Sequence, residues 1–367
     1  MQGNTGNYIS LYGKPYSCFA GNDYLGFASH PDVIQAAALA LEKYGVNFSA
    51  SRKTTGTSDI HLELERLLAE FKGQEAAVVF ASGYMGNKLL FENLKGRYDA
   101  IFVDSMAHPS ILDGIPRDLS NFSFYHHCDP DHLEKLLKKS KSNCPLIVTD
   151  GIFALTGEIA PLDQIYPLAT IYNAILLVDD AHATGVLGKS GKGTPEHFNL
   201  GHAPGLYQSE TMSKALGAYG GFIAADGALV QKIRSESAFY GASTALPPPL
   251  VAAGCTSVKL IGQQAELRET LMQNAELIRN GIKNLEFSTT GEGTPIVPLL
   301  FNNWQDAKSL SGYLKENGMI APALDYPVKT GKFIVRITAS SNHCSEQIEN
   351  LLDTLKKWRN KHGRDNH

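Results

Sequence analysis

The middle of the chain alternates short apolar runs with helix-like stretches, and this alternation limits the fold more than any other feature. EAAVVFAS (75–82), DAIFVDS (99–105), CPLIVTDG (144–151), AILLVDDA (174–181) and GGFIAAD (220–226) have the length and apolar continuity of buried strands. Helical patterns such as 130–140 and 161–173 lie between them. A strand that is apolar on both faces needs cover on both sides, as in mostly parallel sheets flanked by helices. In such sheets, ligands bind outside the carboxyl ends of the strands. TALPPPL (244–250) breaks the chain ahead of one long helix, expected over 250–285. TPIVPLLF, a helix near 304–317, KFIVRITAS and an amphipathic helix from 345 then form a smaller α+β unit. The expected organisation is an N-terminal arm over 1–45, a large α/β domain over 46–250 and a small α+β domain over 251–367.

Bulk properties remove several function classes. The chain has 367 residues, 19% charged and 43% hydrophobic, with a formal charge of -4. It carries no long basic run, which argues against nucleic acid as the main partner. No stretch matches the ~20 apolar residues of a membrane span. The first residues show no basic-then-apolar signal pattern. Cys18, Cys128, Cys144, Cys255 and Cys344 are scattered and form no CxxC pair. Neither a disulfide framework nor a structural metal site is expected, and a reducing cytoplasm fits best.

Two stretches imitate known sites. GKSGKG (188–193) lacks the phosphate-loop pattern, because Ala183 and Val186 stand where that pattern needs glycine. HHCD (126–129) offers ligand types without a second cluster at metal spacing, so it reads as a loop.

The informative polar residues fall at strand ends. LLVDDAHATG closes a very apolar run with Asp179, Asp180 and His182. A buried acid is costly unless it meets a partner. Taken alone, the acid and the histidine also read as a helix cap and a loop residue. TMSKALGAYGG (211–221) brings Thr211 and Lys214 to the next strand end. An acid, a histidine and a lysine at one crevice suit pyridoxal 5'-phosphate. That cofactor needs a lysine for its Schiff base and an acid to keep its ring nitrogen protonated as an electron sink. It also needs an anion site. ASGYMGNKLLFENL (81–94) offers one where Gly83 and Tyr84 open a helix.

The order of motifs carries a resemblance. GNDYLGFASHP (21–31), SRKTTGTSDIHLELERLLAEF (51–71), AHPSILDG, TDGIFALTGEIAPL, LLVDDAHATGVLG, TMSKALGAYGG, GASTALPP and RITASSNH follow one another as in the α-oxoamine synthase family. These are pyridoxal-phosphate enzymes of the aspartate-aminotransferase fold. The resemblance implies an α/β, fold type I chain with a mostly parallel seven-stranded sheet. It implies that Lys214 holds the cofactor, Asp179 pairs with its ring nitrogen, His182 bonds the ring hydroxyl and His108 stacks on the ring. Gly83, Tyr84 and Thr211 would hold the phosphate and ring from one subunit. Ser243 and Thr244 would reach the phosphate from the other, so the active site would be shared across a homodimer. Asn22 and Arg336 would bind the substrate carboxylate. An arginine inside the apolar strand FIVRIT supports that role, since a bidentate carboxylate clamp explains its position.

The implied reaction is condensation of a small amino acid with an acyl thioester, carried by coenzyme A or acyl carrier protein, with loss of carbon dioxide. Spacing and the SHP and DDAHATGVLG motifs resemble the biotin-pathway branch of the family. The aminoketobutyrate-ligase and serine-palmitoyltransferase branches, and a lyase or aldolase that uses no thioester, are the alternatives. Three departures stand out. Only a short segment precedes GNDYLG, Ala154 stands where relatives commonly carry a serine, and DYPVKTG (325–331) replaces the usual PPTVP-like segment.

Overall fold

The computed structural model describes residues 6–201, 203–324 and 331–362. Most of the DYPVKTG segment lies outside them. The chain forms two compact units. The larger comprises 30–153 and 159–263, and the smaller comprises 1–29, 154–158 and 264–367.

The larger unit is built on a seven-stranded sheet. Its strands run in the spatial order Ala76–Phe80, Gly221–Ala225, Leu206–Thr211, Ile175–Asp179, Pro145–Asp150, Ala100–Asp104, Phe122–Tyr125. The last five pair in parallel, and Gly221–Ala225 runs antiparallel to both its neighbours. The five expected strands are present. Two more, Phe122–Tyr125 and Leu206–Thr211, lacked a continuous apolar run in the sequence.

The pleat explains why the central strands are apolar throughout. Ile101, Val103, Leu146, Val148, Ile175 and Leu177 face one core, while Ala100, Phe102, Ile147, Leu176 and Val178 face the other. Alternate residues point to opposite faces, and helices cover both. Each fully buried Leu, Ile or Val contributes roughly 1.5–3 kcal/mol relative to exposure. The covering helices end at sequence-encoded stops. Asp59–Lys72, for example, terminates at Gly73, whose φ of 68° is left-handed and whose N–H bonds the carbonyls of Ala69 and Glu70.

The expected domain limits at 45 and 250 differ from these units. Helix Pro31–Tyr44 packs against helix Pro248–Gln263, which also packs on Asp59–Lys72, so 30–45 and 251–263 belong with the larger unit. The single helix expected over 250–285 is two, Pro248–Gln263 and Ala265–Asn284. Gln264 separates them with φ -119° and ψ 61°, outside the helical region.

The smaller unit pairs Ile296–Phe301 and Ala323–Leu324 antiparallel with Phe333–Thr338. A second sheet joins Tyr8–Leu11, Lys14–Cys18 and Met319–Ile320. Trp358 of helix Ser345–His362 packs edge-on against Phe301 at 6.0 Å. No helix among the described residues is long and apolar enough to cross a membrane.

Two buried histidines tie stability to pH. His61 bonds Ser58 through Nδ1 and the Leu246 carbonyl through Nε2, each at 2.8 Å. His343 Nδ1 accepts the Ser340 N–H at 3.1 Å, and its Nε2 lies 3.0 Å from the Cys18 carbonyl. Burial pushes both from 6.5 down to about 4. The unfolded state therefore takes up protons first as pH falls, so the stability linked to neutral His61 and His343 is complete above 6.5 and is lost toward 4. Urea unfolding across that interval should show a fall on the order of a few kcal/mol, with a shallower slope in His61→Gln and in His343→Gln.

Candidate active site

Four strands of the large sheet end on polar residues at one edge: Asp104, Asp150, Asp179 and Thr211. Their register is direct. Asp150 pairs with Asp179, Asp179 with Ser209, and Thr211 with Gly221. A cleft of about 310 Å3 opens at this edge. Ser82, Gly83, Tyr84, His108, Asp150, Asp179, His182, Thr211, Ser213 and Lys214 line it. The sheet thus brings Gly83, Tyr84, His108, Asp179, His182, Thr211 and Lys214 together.

The two adjacent acids separate by the pleat. Asp179 faces the cleft. Its Oδ2 accepts from Asn87 Nδ2 at 2.6 Å and lies 3.3 Å from Ser110 Oγ, and its Oδ1 accepts the Ala181 N–H at 3.2 Å. Asp180 turns the other way and accepts from Thr194 Oγ1 at 2.6 Å and Gln208 Nε2 at 2.8 Å. Burial raises the Asp180 carboxyl above the usual range, against the opposing charge of Lys72. Asp180 therefore anchors the loop that follows, and Asp179 is the acid available to a ligand.

Lys214 sits in a loop closed at both ends. Met212 N–H bonds the Gly220 carbonyl at 2.9 Å, Ala218 N–H bonds Met212 at 3.0 Å, and Gly217 N–H bonds Lys214 at 2.8 Å. Gly217 and Gly220 have φ of 57° and 105°, which explains the glycines around the lysine.

The anion side of the cleft is a close backbone approach. A Cβ on Gly83 would lie 2.7 Å from Thr211 Oγ1, and one on Gly86 would lie 2.3 Å from Ser209 Oγ. Both glycines let the first turn of helix Tyr84–Leu94 rest on strand Leu206–Thr211. Its N-terminal end is suited to negative charge.

His108 caps helix Pro109–Gly114, and its backbone N–H donates to Asp150 Oδ2 at 3.0 Å. Burial lowers the imidazole pKa, with Lys214 adding to the effect and Asp179 opposing it. Burial, then the charge of Asp179, pushes Asp150 well above the carboxylate range.

Asn22 and Arg336 belong to the smaller unit. Arg336 Nη2 donates to Asn22 Oδ1 at 2.9 Å, and its Nε donates to the Ala154 carbonyl at 2.7 Å. At position 154 the structure uses a backbone oxygen, so loss of the usual serine does not disturb this contact. Ser243 and Thr244 are not among the residues that line the cleft. Thr244 instead bridges Ser51.

A family model described as aminotransferase class I and II matches residues 17–355. The chain belongs to the aminotransferase class I and II family. An 8-amino-7-oxononanoate synthase of Alkaliphilus metalliredigens is 38% identical, over 97% of this chain and 91% of that protein. A serine palmitoyltransferase variant from S. paucimobilis, solved with a bound PLP–myriocin aldimine, superposes with a TM-score of 0.91 at 28% identity, covering 97% of this chain and 90% of that one. An 8-amino-7-oxononanoate synthase from Francisella tularensis superposes with a TM-score of 0.80 at 28% identity, over 94% and 98% of the two chains. The resemblance to α-oxoamine synthases read from the motifs is borne out.

Sequence reasoning for this aminotransferase-family chain missed Asn87, Ser110 and Asp150. All three lie inside quoted motifs, yet each acts on another side chain, and no spacing rule identifies such a partner. The two imitations also find physical explanations. The N–H groups of Ser190 and Lys192 wrap Glu196 Oε2 at 3.0 and 2.9 Å, so the glycine-rich loop encloses its own carboxylate. His127 Nδ1 lies 2.9 Å from Asp104 Oδ1, and Cys128 N–H donates to Asp104 Oδ2 at 2.9 Å. The potential ligand atoms of Asp104, His127 and Cys128 lie within 4.8 Å of one another, and these hydrogen bonds already account for the carboxylate.

Gly193→Ala tests the Asp180 anchor. Gly193 has φ of 98°, and an added Cβ would fall 1.7 Å from Asp180 Oδ2. Denaturant unfolding should show a loss of about 2–4 kcal/mol.

Proposed function

We propose that the protein is a pyridoxal-phosphate enzyme of the α-oxoamine synthase type. It joins a small amino acid to an acyl thioester, releases carbon dioxide and the thiol, and forms an α-amino ketone. The product class is that of 8-amino-7-oxononanoate synthase, the name borne by its 38%-identical relative. The observation that carries this reading is one cleft in which Lys214 and Asp179 share a lining with an anion cradle at Gly83 and Thr211.

The residues fit the cofactor. Gly83 lets the N-terminal end of helix Tyr84–Leu94 sit against Thr211, that helix end favours a phosphate's charge, and Asp179 is an acceptor held by Asn87 and the Ala181 N–H. When bound, pyridoxal phosphate supplies an electron sink for negative charge at an amino-acid α-carbon. Lys214 would hold the cofactor through Nζ and, once displaced, move the proton at the α-carbon. Asp179 would keep a proton on the ring nitrogen. His182 would bond the ring hydroxyl, and His108 would cover the ring and exclude water from it. Tyr84 would flank that ring. Asn22 and Arg336 are assigned to the amino-acid carboxylate, because a buried arginine already paired to an amide oxygen is preorganised for a planar anion.

Ser243 and Thr244 are assigned to the phosphate in a partner subunit's cleft, within a homodimer. The thioester carrier is coenzyme A or acyl carrier protein. A cytoplasmic setting suits the free thiols of all five cysteines. The serine-palmitoyltransferase branch has the higher TM-score, 0.91 against 0.80. Sequence identity is the better guide to substrate, because global superposition follows backbone placement. It favours the oxononanoate branch at 38%.

Purified enzyme with pyridoxal phosphate should show a visible absorbance that Lys214→Ala lacks, and Lys214→Ala should lose roughly 10²–10⁴-fold in activity. Alanine, glycine and serine, each offered with thioesters of different acyl length, should yield one preferred α-amino ketone by mass. Product formed without any thioester would overturn the synthase assignment. Arg336→Ala should raise KM for the amino acid by roughly tenfold or more, reflecting a lost charged hydrogen bond of about 1.5–3 kcal/mol.

A further inference from the structure

Asn87 is fully buried, and its side-chain nitrogen donates twice, to Asp179 Oδ2 at 2.6 Å and to Ser110 Oγ at 3.0 Å. Its Oδ1 has no hydrogen-bond partner. A buried orphan carbonyl is unfavourable. Turning the amide over would aim that oxygen at the Asp179 carboxylate, which is worse. The charge on Asp179 therefore fixes which way the amide points.

Ser110 Oγ accepts a hydrogen bond from Asn87 and has one proton of its own to donate. Two acceptors compete for it, His108 Nδ1 at 2.8 Å and Asp179 Oδ2 at 3.3 Å. The shorter contact goes to His108. The Ser110 backbone N–H also points at His108 Nδ1, at 3.3 Å. A backbone N–H can only donate, so Nδ1 is an acceptor and a neutral ring carries its proton on Nε2. Nε2 has no hydrogen-bond partner among the described residues, and the ring lines the cleft.

We infer that Asn87 and Ser110 are positioning residues: they relay hydrogen bonds from Asp179 to His108 and hold the His108 proton on Nε2. That N–H is then a fixed donor for an acceptor oxygen of the reactant, such as a thioester carbonyl that gains negative charge. The identity of the reactant rests on the function proposed above, whereas the relay does not. The groups around His108 agree with it. Asp179 sits at the far end of the relay, Lys214 shares the cleft, Asp150 holds the backbone N–H, and the Tyr84 ring stands edge-on at 6.1 Å. Burial, and to a lesser degree Lys214, favours the neutral ring that the relay requires, against the charge of Asp179.

The test is nitrogen NMR of the histidine rings in full-length, cofactor-free protein, titrated through the histidine range. Wild-type His108 should be neutral with the proton on Nε2, and should titrate below an ordinary imidazole. Ser110→Ala removes the hydroxyl donor to Nδ1, so it should raise the proton affinity of His108 by about tenfold and move the Nδ1 resonance toward a free pyridine-type nitrogen. Asn87→Leu should act in the same direction, and the double variant should change less than the sum. Ser110→Thr keeps the hydroxyl and should restore the wild-type titration. Should Asn87→Leu not fold, the two Ser110 variants carry the test. A wild-type His108 protonated on Nδ1, or a titration unchanged by Ser110→Ala, would overturn the relay. Absence of visible absorbance on adding pyridoxal phosphate to the wild type would instead sink the proposed reaction and leave the relay intact.

Discussion

A carboxylate at the end of a buried strand is the constraint around which the larger unit is arranged. Asp179 closes a run in which every residue is buried. An acid there is tolerable only if donors are brought to it. The structure supplies them from two elements, Asn87 from helix Tyr84–Leu94 and the Ala181 N–H from the loop that follows the strand, and Ser110 Oγ of helix Pro109–Gly114 stands 3.3 Å away. Those same helices carry Gly83 and the cap His108. Satisfying one buried charge therefore positions much of the cleft. The neighbouring strand end shows the other solution to the same problem. Asp150, in register with Asp179, is held toward its neutral form, so the sheet edge does not bear two adjacent anions.

Close approach is the second theme. Gly83 and Gly86 sit where any Cβ would strike Thr211 or Ser209. In the loop at 188–193, a Cβ on Gly188 would meet Glu196 Oε2 at 2.2 Å, because the backbone folds tightly around that carboxylate. One pattern, glycine beside lysine, thus serves two opposite ends. In one place it wraps an anion the protein already owns, and in the other it leaves a lysine near a cleft. Only the neighbouring elements tell them apart.

The sequence made the sheet legible because burial on both faces leaves no polar residue before the closing aspartate in a strand such as ILLVD or AIFVD. Phe122–Tyr125 lies at the sheet edge with alternating exposure, and Leu206–Thr211 contains Gln208, Ser209 and Glu210, so neither announces itself. The break at Gln264 was hidden because both flanking helices have good helix formers and no proline lies between them. Lys214, Asp179, His182 and His108 were legible through chemistry and motif order. Asn87, Ser110 and Asp150 were not, since each is tied to the cleft by at least one partner distant in sequence, 92 residues away in the case of Asn87 and Asp179. Ser243 and Thr244 were named for a role that one chain's cleft does not contain.

The loop that carries Lys214 begins and ends on one paired rung of the sheet, Thr211 against Gly221. Its backbone is further cross-tied at Met212 and Gly220. Such a loop behaves as a small ring welded to a rigid frame. The disorder that a flexible tether would have to surrender at each turnover is removed once, when the chain folds. The closing strand is itself fixed on both sides, since Gly221 pairs with Phe80 as well as with Thr211, so the end of the loop cannot slide along the sheet without breaking two ladders.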